Sequence, residues 1–447
     1  MPTIKEGVIM SEVTVIFALI SIWLSILITL VILFGAIVAL IKGIKDVSPM
    51  KKEKLEKYPK VTIVVPAHNE ELVIQDTVAA LMALDYPKES LEIRIVADNC
   101  SDKTFEVANE IIKRNKTKAL DIKVIKRTGK GGKAGVLNDM LAKATGEWIC
   151  VYDADAMPQE DALYFLIAKS LENEKDFAAV FGRNKTRNYR QNFLTRCINL
   201  EIVTTQRIHH VGLWNLFKIG RIPGTNFIIK TDFVRSIGGW DNGALTEDTA
   251  ISFKIMQQNK LIALAPKSEA FQQEPESLKA YYYQRKRWAK GNYEVILENF
   301  HHLFNFKSNW RIKLEVLYYT STFFWFNAAI LVSNFLFVVN LIAQIIKLFI
   351  PQMIIPFAFA SSNRKIAALL LVNWALMFFI YILQINVALV SQYGQATTIN
   401  LIYSIVSYFT YSQLFIVVAT SAFFSLMFDK IFKRDGTKWY KTQRFSN

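Results

Sequence analysis

The chain has 447 residues, 52% of them hydrophobic, and a formal net charge of +15. It is more apolar than a typical soluble protein, yet too polar to lie wholly within lipid. Its lysines and arginines cluster directly after the first apolar segment and again near the C-terminus, as is typical of the cytoplasmic flanks of membrane spans. The charge therefore predicts membrane topology and contact with anionic lipid headgroups, and it argues against a nucleic-acid partner.

Apolar segments long enough to cross a bilayer lie towards both ends of the chain. Val13–Ile41 is almost uncharged and exceeds the roughly 20 residues that a span needs, so it predicts a retained anchor. Further apolar blocks follow at Glu315–Ile350, Ile366–Val390 and Asn400–Phe428. An odd number of crossings in these blocks would place the basic tail outside. We favour an internal tail, with about four or five crossings in total.

Between these apolar regions the pattern alternates strands and helices. The predicted strands are Val61–Ala67, Leu91–Ala97, Ile122–Lys126 and Trp148–Tyr152. Helical patterns follow at Glu70–Leu84, from Ser101 or Asp102 to Arg114, at Gly132–Lys143, and from Pro158 onward. This alternation predicts an α/β domain with a mostly parallel, doubly wound sheet, whose ligands bind beyond the carboxyl ends of the strands.

Charged side chains fall at those strand ends, and each has a structural alternative. Asp153 and Asp155 lie two residues apart, so both carboxylates can face one site and hold Mg²⁺; alternatively, they cap the helix at Pro158. Asp98 either accepts hydrogen bonds from a base or ribose, or forms an Asx-turn. Lys133 either reaches a uracil or a phosphate, or is a solvated loop charge.

An acidic motif, LTED, follows later in the chain. Thr246 is a suitable N-cap, and Glu247 and Asp248 suit the positive end of a helix that runs to about Gln257. The catalytic interpretation makes a carboxylate at this helix start a general base for an attacking sugar hydroxyl.

A basic and aromatic motif, QRKRW, stands just before the C-terminal apolar region. Gln284, Arg287 and Trp288 share one helical face, where arginine suits a diphosphate and tryptophan suits a sugar ring. The alternative is a juxtamembrane helix whose basic side chains extend towards lipid.

Seven motifs, taken in order over about Val61 to Trp288, resemble those of processive, membrane-embedded family 2 glycosyltransferases. They are VVPAHNEE, VADNCSD, KAGVLND, VYDADA, PGTNF, LTED and QRKRW. That group includes cellulose, poly-N-acetylglucosamine, hyaluronan and chitin synthases. LTED matches the cellulose and poly-N-acetylglucosamine synthases better than the hyaluronan type. The chain has fewer spans than cellulose synthases usually have, and its plan is most similar to that of the poly-N-acetylglucosamine synthases.

The resemblance implies a GT-A fold, a UDP-sugar donor, Mg²⁺ or Mn²⁺, and inversion to a β-linkage. It also implies roles for residues of this sequence. The nucleotide would be held by Pro66, Asn69, Glu70, Asp98 and Lys133. Asp153 would contact the donor and, with Asp155, the metal. Asp248 would be the base, with Glu247 beside it in the catalytic motif. Gln284 and Arg287 would hold the diphosphate, Trp288 would lie under the acceptor, and residues 224–226 would lie near the acceptor's end.

The expected domain order is therefore a tail (1–12), a transmembrane anchor (13–42), a basic linker (43–60), a cytoplasmic GT-A domain (61–300), an interfacial segment (301–314), a transmembrane region (315–428) and a basic cytoplasmic tail (429–447). The expected enzyme polymerises UDP-N-acetylglucosamine or UDP-glucose into an exopolysaccharide and exports it across the plasma membrane. Its expected partners are the UDP-sugar, the growing polymer, membrane lipids and, as a hypothesis, a small accessory subunit. The alternatives are a non-processive transferase that loads one sugar onto a polyprenyl phosphate or another lipid, and a catalytically idle nucleotide-sugar-binding scaffold.

Overall fold

A computed structural model describes residues 4–43, 54–115, 119–328, 331, 342, 345–352 and 364–432. The basic tail from residue 433 onward, most of the linker at 43–60, and part of the first C-terminal apolar block lie outside the described residues. The first described helix is α1 (Ile4–Ile41), which contains the predicted anchor.

The first half of the globular domain follows the predicted alternation. Its strands are β1 (Val61–Ala67), β2 (Leu91–Asp98), β3 (Asp121–Arg127) and β4 (Trp148–Val151). Its helices are α2 (Ile74–Met82), α3 (Thr104–Asn115) and α4 (Gly132–Lys143). All strand pairs among β1–β4 are parallel. β1, β2 and β4 are largely buried, as is usual for parallel strands covered by helices, whereas β3 lies at the edge of the sheet and is mostly exposed or half-buried. At the start of α3, Asp102 Oδ1 accepts the N–H of Thr104 at 3.0 Å, which confirms one of the predicted caps.

The second half of the domain adds mixed pairing to this sheet. Its strands are β5 (Met157–Pro158), β6 (Phe177–Thr186), β7 (Phe227–Lys230) and β8 (Leu261–Gln272). Its helices are α5 (Ala162–Leu171), α6 (Phe193–Thr204), α7 (Val211–Phe217), α8 (Thr231–Ser236), α9 (Glu247–Gln257) and α10 (Leu278–Asn299). The strand order is β3-β2-β1-β4-β7-β6-β8-β5, with antiparallel pairing of β4 with β7, β7 with β6, and β8 with β5. The sheet is mostly parallel as predicted, but the regular alternation ends after β4.

The prediction that Pro158 opens a helix is wrong. Pro158 lies in β5, opposite Ala270 at the edge of the sheet, and α5 begins only at Ala162. An edge strand tolerates proline because the missing N–H removes no bond from the sheet interior.

The C-terminal part of the chain is helical where the structure describes it. Its helices are α11 (Trp310–Thr320), α12 (Arg364–Ser391), α13 (Thr398–Phe409) and α14 (Tyr411–Ile431). Within the described residues, two segments are long and apolar enough to cross a membrane, Leu19–Ile41 and Tyr411–Ile431, with mean hydropathies of 3.0 and 1.8. The number of crossings remains a prediction.

The anchor helix packs directly on the globular domain. Ile32, Leu33 and Ala36 of α1 belong to the same apolar core as the strands of the sheet. The backbones of α1 and α7 come so close that a Cβ on Gly212 would lie 2.2 Å from the carbonyl oxygen of Ile32. This contact fixes the anchor against α7.

We predict that Gly212→Ala destabilises the protein, because the added methyl group must push α1 and α7 apart. The cost is expected to be about 1–3 kcal/mol, as for other overpacked contacts. Thermal unfolding of the detergent-solubilised chain measures it. The control is Gly243→Ala, whose Cβ would come no closer than 3.4 Å to Asp241 Oδ1. An unfolding temperature for Gly212→Ala equal to that of the control would contradict the close packing.

Candidate active site

The loops after β1 and β2 are hydrogen-bonded to each other. Asn69 has a positive φ of 54°, and its side-chain oxygen accepts the N–H groups of Ser101 and Asp102 at 2.7 and 3.3 Å. The N–H of the neighbouring Glu70, itself buried, donates to Thr104 Oγ1 at 2.7 Å. Pro66 precedes these residues in the chain and lies within β1. These contacts give the two loops a fixed shape beyond the carboxyl ends of the strands.

Asp98 is paired with a cation from the neighbouring strand. Its Oδ1 accepts from Arg127 Nη1 at 2.7 Å, and Arg127 Nε donates to Asp139 Oδ2 at 2.6 Å. The Asx-turn at the start of α3 is made instead by Asp102. The structure therefore contradicts the Asx-turn interpretation of Asp98 and leaves its carboxylate at the edge of the candidate nucleotide site.

Lys133 lies at the centre of the acidic residues. Its Nζ donates to Asp153 Oδ1 at 2.6 Å and to the carbonyl oxygen of Gly224 at 2.7 Å, and lies 3.4 Å from Glu247 Oε1. Burial alone would lower the pKa of Lys133, but the charges of Asp153 and Glu247 outweigh it and raise that pKa. The interpretation of Lys133 as a solvated loop charge is wrong, because its side chain is only 24% exposed and is fully partnered.

The LTED motif places Asp248 in the same cluster. Asp248 Oδ1 accepts the N–H of Thr249 at 2.8 Å, and a Cβ on Gly224 would come within 3.0 Å of Asp248 Oδ2. Gly224 has a φ of +83°, so both its conformation and its closeness to Asp248 require glycine. Burial, followed by the charge of Glu247, raises the pKa of Asp248 to about 6, although Lys133 opposes this shift.

The simple capping interpretation of LTED is only partly right. The helix runs from Glu247 to Gln257, as predicted, and Thr246 occupies its N-cap position. However, the Thr246 hydroxyl makes no capping bond and has no hydrogen-bond partner among the residues that the structure describes. The acids at the start of α9 therefore face Lys133 and Gly224 rather than serving as solvated caps.

Asp153 and Asp155 are the residues predicted to hold a divalent cation. The N–H of Asp153 donates to Thr225 Oγ1 at 2.9 Å, and the buried Asp155 accepts the N–H of Gln273 at 3.3 Å. They do not cap a helix at Pro158, since α5 begins later. Within the described part of the chain, no group of three or more His, Cys, Asp or Glu side chains could hold a metal by itself. Mg²⁺ fits two carboxylates when substrate phosphates and water complete its shell.

QRKRW lies on α10 and faces into the protein. The side-chain oxygen of Gln284 and Nε of Arg287 are buried and lack a hydrogen-bond partner within the described residues, while Arg287 Nη1 lies 3.4 Å from the carbonyl oxygen of Leu245. Arg285 pairs with Glu201 at 2.9 Å and lies 4.4 Å above the ring of Trp288. For both arginines, the interpretation as a basic face that extends towards lipid is wrong.

A cavity of 680 Å³ lies beside this helix. Trp288 lines it together with residues of several other helices, including Ile26 of α1, Gln384 of α12 and Tyr411 of α14. Both polar and aromatic side chains face the space. The cavity thus connects the QRKRW helix with helices that the sequence assigns to the membrane.

Sequence reasoning missed the ion pairs that surround this site. Arg285–Glu201 lies within a recognised motif, but nothing in the local pattern identifies Glu201 as its partner. Arg221 lies two residues before the start of the PGTN motif, and the structure pairs it with Glu315. The one available signal was an uncompensated acid, Glu315, at the edge of an apolar block.

Comparison with known proteins identifies the family. A family of sequences described as "Glycosyltransferase like family 2" matches residues 59–291, over half of the chain. The chain belongs to this family. A protein of Bacillus subtilis named "Probable glycosyltransferase YdaM" is 35% identical over 398 residues, which covers 89% of this chain and 90% of that protein. The protein is therefore a glycosyltransferase.

Two further family members cover less of the chain. The poly-beta-1,6-N-acetyl-D-glucosamine synthase of Staphylococcus epidermidis is 28% identical over 249 residues, or 56% of this chain and 58% of that enzyme. The beta-monoglucosyldiacylglycerol synthase of Trichormus variabilis is 31% identical over 254 residues, or 56% and 52%. The match thus spans only about half the length of these two enzymes.

Among solved structures, the mannosyltransferase PcManGT from Pyrobaculum calidifontis, in complex with GDP-Man and Mn²⁺, shares the fold. It superposes with a TM-score of 0.56 at 19% sequence identity, over 89% of this chain and 99% of that one. The fold of the present chain is therefore GT-A-like, with a mostly parallel sheet.

We predict that Lys133→Met destabilises the protein in a pH-dependent way. Without the ammonium group, nothing offsets the repulsion among the carboxylates of Asp153, Glu247 and Asp248, and the pKa of Asp248, which the charge of Lys133 lowers, rises further. A carboxyl with a raised pKa in the folded state costs stability from the unfolded-state pKa upward, and the full cost is reached above the folded-state pKa. The loss should therefore be large at pH 8 and smaller at pH 5. For a partly exposed pair, we expect a loss of roughly 1–3 kcal/mol at the higher pH.

Thermal unfolding at both pH values measures this difference. The control is Lys130→Met, which removes an exposed lysine of the preceding loop. A loss of stability in Lys133→Met that is the same at pH 5 and pH 8 would contradict the charge-balancing role of Lys133.

Proposed function

We propose that this glycosyltransferase is processive and inverting: it polymerises UDP-N-acetylglucosamine or UDP-glucose into a β-linked exopolysaccharide and moves the product across the plasma membrane. The observation that carries the proposal is the cavity, since it runs from Trp288 to helices assigned to the membrane. A polymer that leaves the transfer site beside Trp288 enters this space directly. Similarity to a poly-beta-1,6-N-acetyl-D-glucosamine synthase supports the same product class.

The donor site in this proposal lies beyond the carboxyl ends of β1, β2 and β4. The loops that hold Pro66, Asn69, Glu70 and Asp98 would bind the nucleotide. Lys133 would exchange one of its carboxylate partners for a phosphate. Arg287 would contact the diphosphate, because its buried Nε is a donor that lacks a partner among the described residues. Gln284 would contact the diphosphate through the N–H groups of its side-chain amide.

Asp153 and Asp155 would hold Mg²⁺ or Mn²⁺ together with the phosphates of the donor. The ion would offset the charge that develops on the departing UDP. Asp153 is already hydrogen-bonded to Lys133 and to Thr225, so its carboxylate is held in place before the substrate binds.

Asp248 is proposed as the general base. Its carboxylate would accept the proton of the acceptor hydroxyl while that oxygen attacks the anomeric carbon and UDP leaves from the opposite face. A single displacement of this kind inverts the anomeric configuration. A pKa of about 6 keeps Asp248 largely ionised at neutral pH while making it a stronger base than an ordinary aspartate.

The second candidate is a non-processive transferase that adds one sugar to a polyprenyl phosphate or another lipid. Two observations favour it: apolar α1 residues such as Ile22 and Ile26 line the cavity, and the chain is similar to a beta-monoglucosyldiacylglycerol synthase. The polymer is preferred because polar side chains such as Asn373, Gln384 and Gln413 also line the cavity. A sugar chain offers these groups hydrogen bonds that an acyl chain lacks.

We predict that Asp248→Asn lowers sugar transfer about 10²- to 10⁴-fold, the usual contribution of a general base, while UDP affinity changes little.

In the unsubstituted enzyme, kcat/KM should fall about tenfold per pH unit below about pH 6, because the protonated carboxyl of Asp248 cannot accept a second proton. Steady-state kinetics and UDP-binding measurements test both expectations.

Asp232→Asn serves as the control, because Asp232 is exposed and pairs with Arg235, three residues later on α8. This variant should keep the rate and pH profile of the unsubstituted enzyme. An Asp248→Asn variant with near-normal transfer would refute the assignment of the base.

We also predict that membranes containing the full chain make long products from one labelled UDP-sugar. Each UDP-sugar is supplied separately, and the product is sized and then digested with linkage-specific hydrolases. A polymer degraded by a β-specific hydrolase is the expected result. A product of one sugar on an extractable lipid would overturn processivity and establish the second candidate.

A further inference from the structure

Arg221 and Glu315 form a buried ion pair between the active-site loop and α11. Arg221 Nη2 donates to Glu315 Oε2 at 2.8 Å, and its Nε donates to the other carboxylate oxygen. The guanidinium group also lies 4.4 and 4.8 Å from the ring centres of Tyr318 and Tyr319. Glu315 is only 1% exposed. A two-point contact of this kind fixes the direction of the arginine as well as its position.

On one side, the pair reaches the catalytic acid through a short stretch of backbone. The N–H of Ile222 donates to Ser252 Oγ at 3.0 Å, and Ser252 Oγ donates to the carbonyl oxygen of Asp248 at 2.7 Å. Pro223 limits the freedom of the chain between Ile222 and Gly224. Gly224 then contacts both Lys133 and Asp248. A shift of Arg221 would therefore move the backbone from Ile222 to Gly224, and with it the groups proposed to carry out transfer.

On the other side, the pair reaches the cavity. Arg221, Tyr318 and Tyr319 line its wall. Directly after α11, the helix widens into a π-helical turn at Ser321–Phe326. A second π-helical turn lies at Thr205–His210, and its His209 forms a hydrogen bond with the hydroxyl of Tyr318. Such turns are often found at functional sites, because they can shift without breaking the helix.

The histidines beside the pair do not share its charge. Burial, followed by the charge of Arg221, lowers the pKa of His209 to about 4; for His210 the same causes, followed by the charge of His209, lower it to about 3. Both are therefore neutral at physiological pH. The positive charge of Arg221 is balanced by Glu315, which lies on the element that continues towards the C-terminal apolar region.

We propose that Arg221 and Glu315 are positioning residues that couple the acceptor in the cavity to the geometry around Asp248. An acceptor that contacts the tyrosines holds the guanidinium in place, and Glu315 fixes it against α11. Ile222, Pro223 and Gly224 then keep Asp248 and Lys133 at their transfer distances. This inference rests on the proposed function. The competing explanation is that the pair only attaches α11 to the domain.

The test compares two carboxylate-to-amide variants of the full chain in membranes. Glu315→Gln removes the charge of the pair, whereas Asp429→Asn removes the charge from another pair, Lys290–Asp429 at 2.6 Å, which joins α10 to α14 away from Gly224. We expect Glu315→Gln to lower kcat about 10- to 100-fold, the effect of a small misplacement of reacting groups, with the KM for the UDP-sugar within about twofold. Asp429→Asn should keep kcat within about twofold.

Equal kcat values for the two variants, measured below both unfolding temperatures, would overturn the proposal. Arg221→Lys provides a second variant if Glu315→Gln fails to fold: lysine keeps the charge but cannot bind both carboxylate oxygens, so kcat should fall with it as well. A normal kcat in Arg221→Lys would equally count against positioning.

Hydrogen–deuterium exchange separates this proposal from the proposed function. Residues 222–226 should exchange faster in Glu315→Gln than in Asp429→Asn, whether or not sugar is transferred. An unsubstituted chain that transfers no sugar from any UDP-sugar would refute the proposed function, while faster exchange in Glu315→Gln would still support the coupling. Unchanged exchange at residues 222–226 would refute the coupling alone.

Discussion

The active site depends on one ammonium group placed among three carboxylates. Lys133 contacts Asp153 and Glu247 directly, and its charge also acts on Asp248. Carboxylates this close together repel one another and destabilise the fold unless a cation is held between them. Because Lys133 stands in the first turn of α4, its position is set by a helix and not by the side chain alone. The same ammonium binds the carbonyl oxygen of Gly224, so charge balance and backbone position are fixed by a single contact.

This arrangement explains why the site needs segments that are far apart in the chain. The loop after β4 supplies the acids of the DAD motif, α9 supplies Glu247 and Asp248, and the loop before β7 supplies Gly224. Their meeting point is the junction at which the sheet changes from parallel to antiparallel pairing, between β4 and β7. α10 then places Arg287 against the carbonyl oxygen of Leu245, next to the TED acids. No single motif therefore forms the candidate site. The order of the strands in the sheet brings the motifs together.

The sequence predicted the first half of this fold well, because its strands and helices carry strong local patterns. α4 has the bounds that its pattern indicates, and α9 ends where expected. Pro158 misled the prediction because proline suits both a helix start and an edge strand, and only the partner strand β8 decides between them. The positions of Lys133 and Asp98 could not be derived from spacing, since each is set by a partner on another element. The same holds for Arg221 and Glu315, which lie 94 positions apart.

The catalytic domain and the anchor helix form one packed body, and this has a mechanical consequence. The apolar core of the sheet includes the C-terminal half of α1, and the cavity beside Trp288 is walled partly by the same helix. The proposed transfer site therefore cannot move far from the cavity without disturbing the core. A product that left this site would have only a short distance to cross before it reached the cavity. In the proposed processive enzyme, this rigid proximity would remove the need to release and rebind the product between additions.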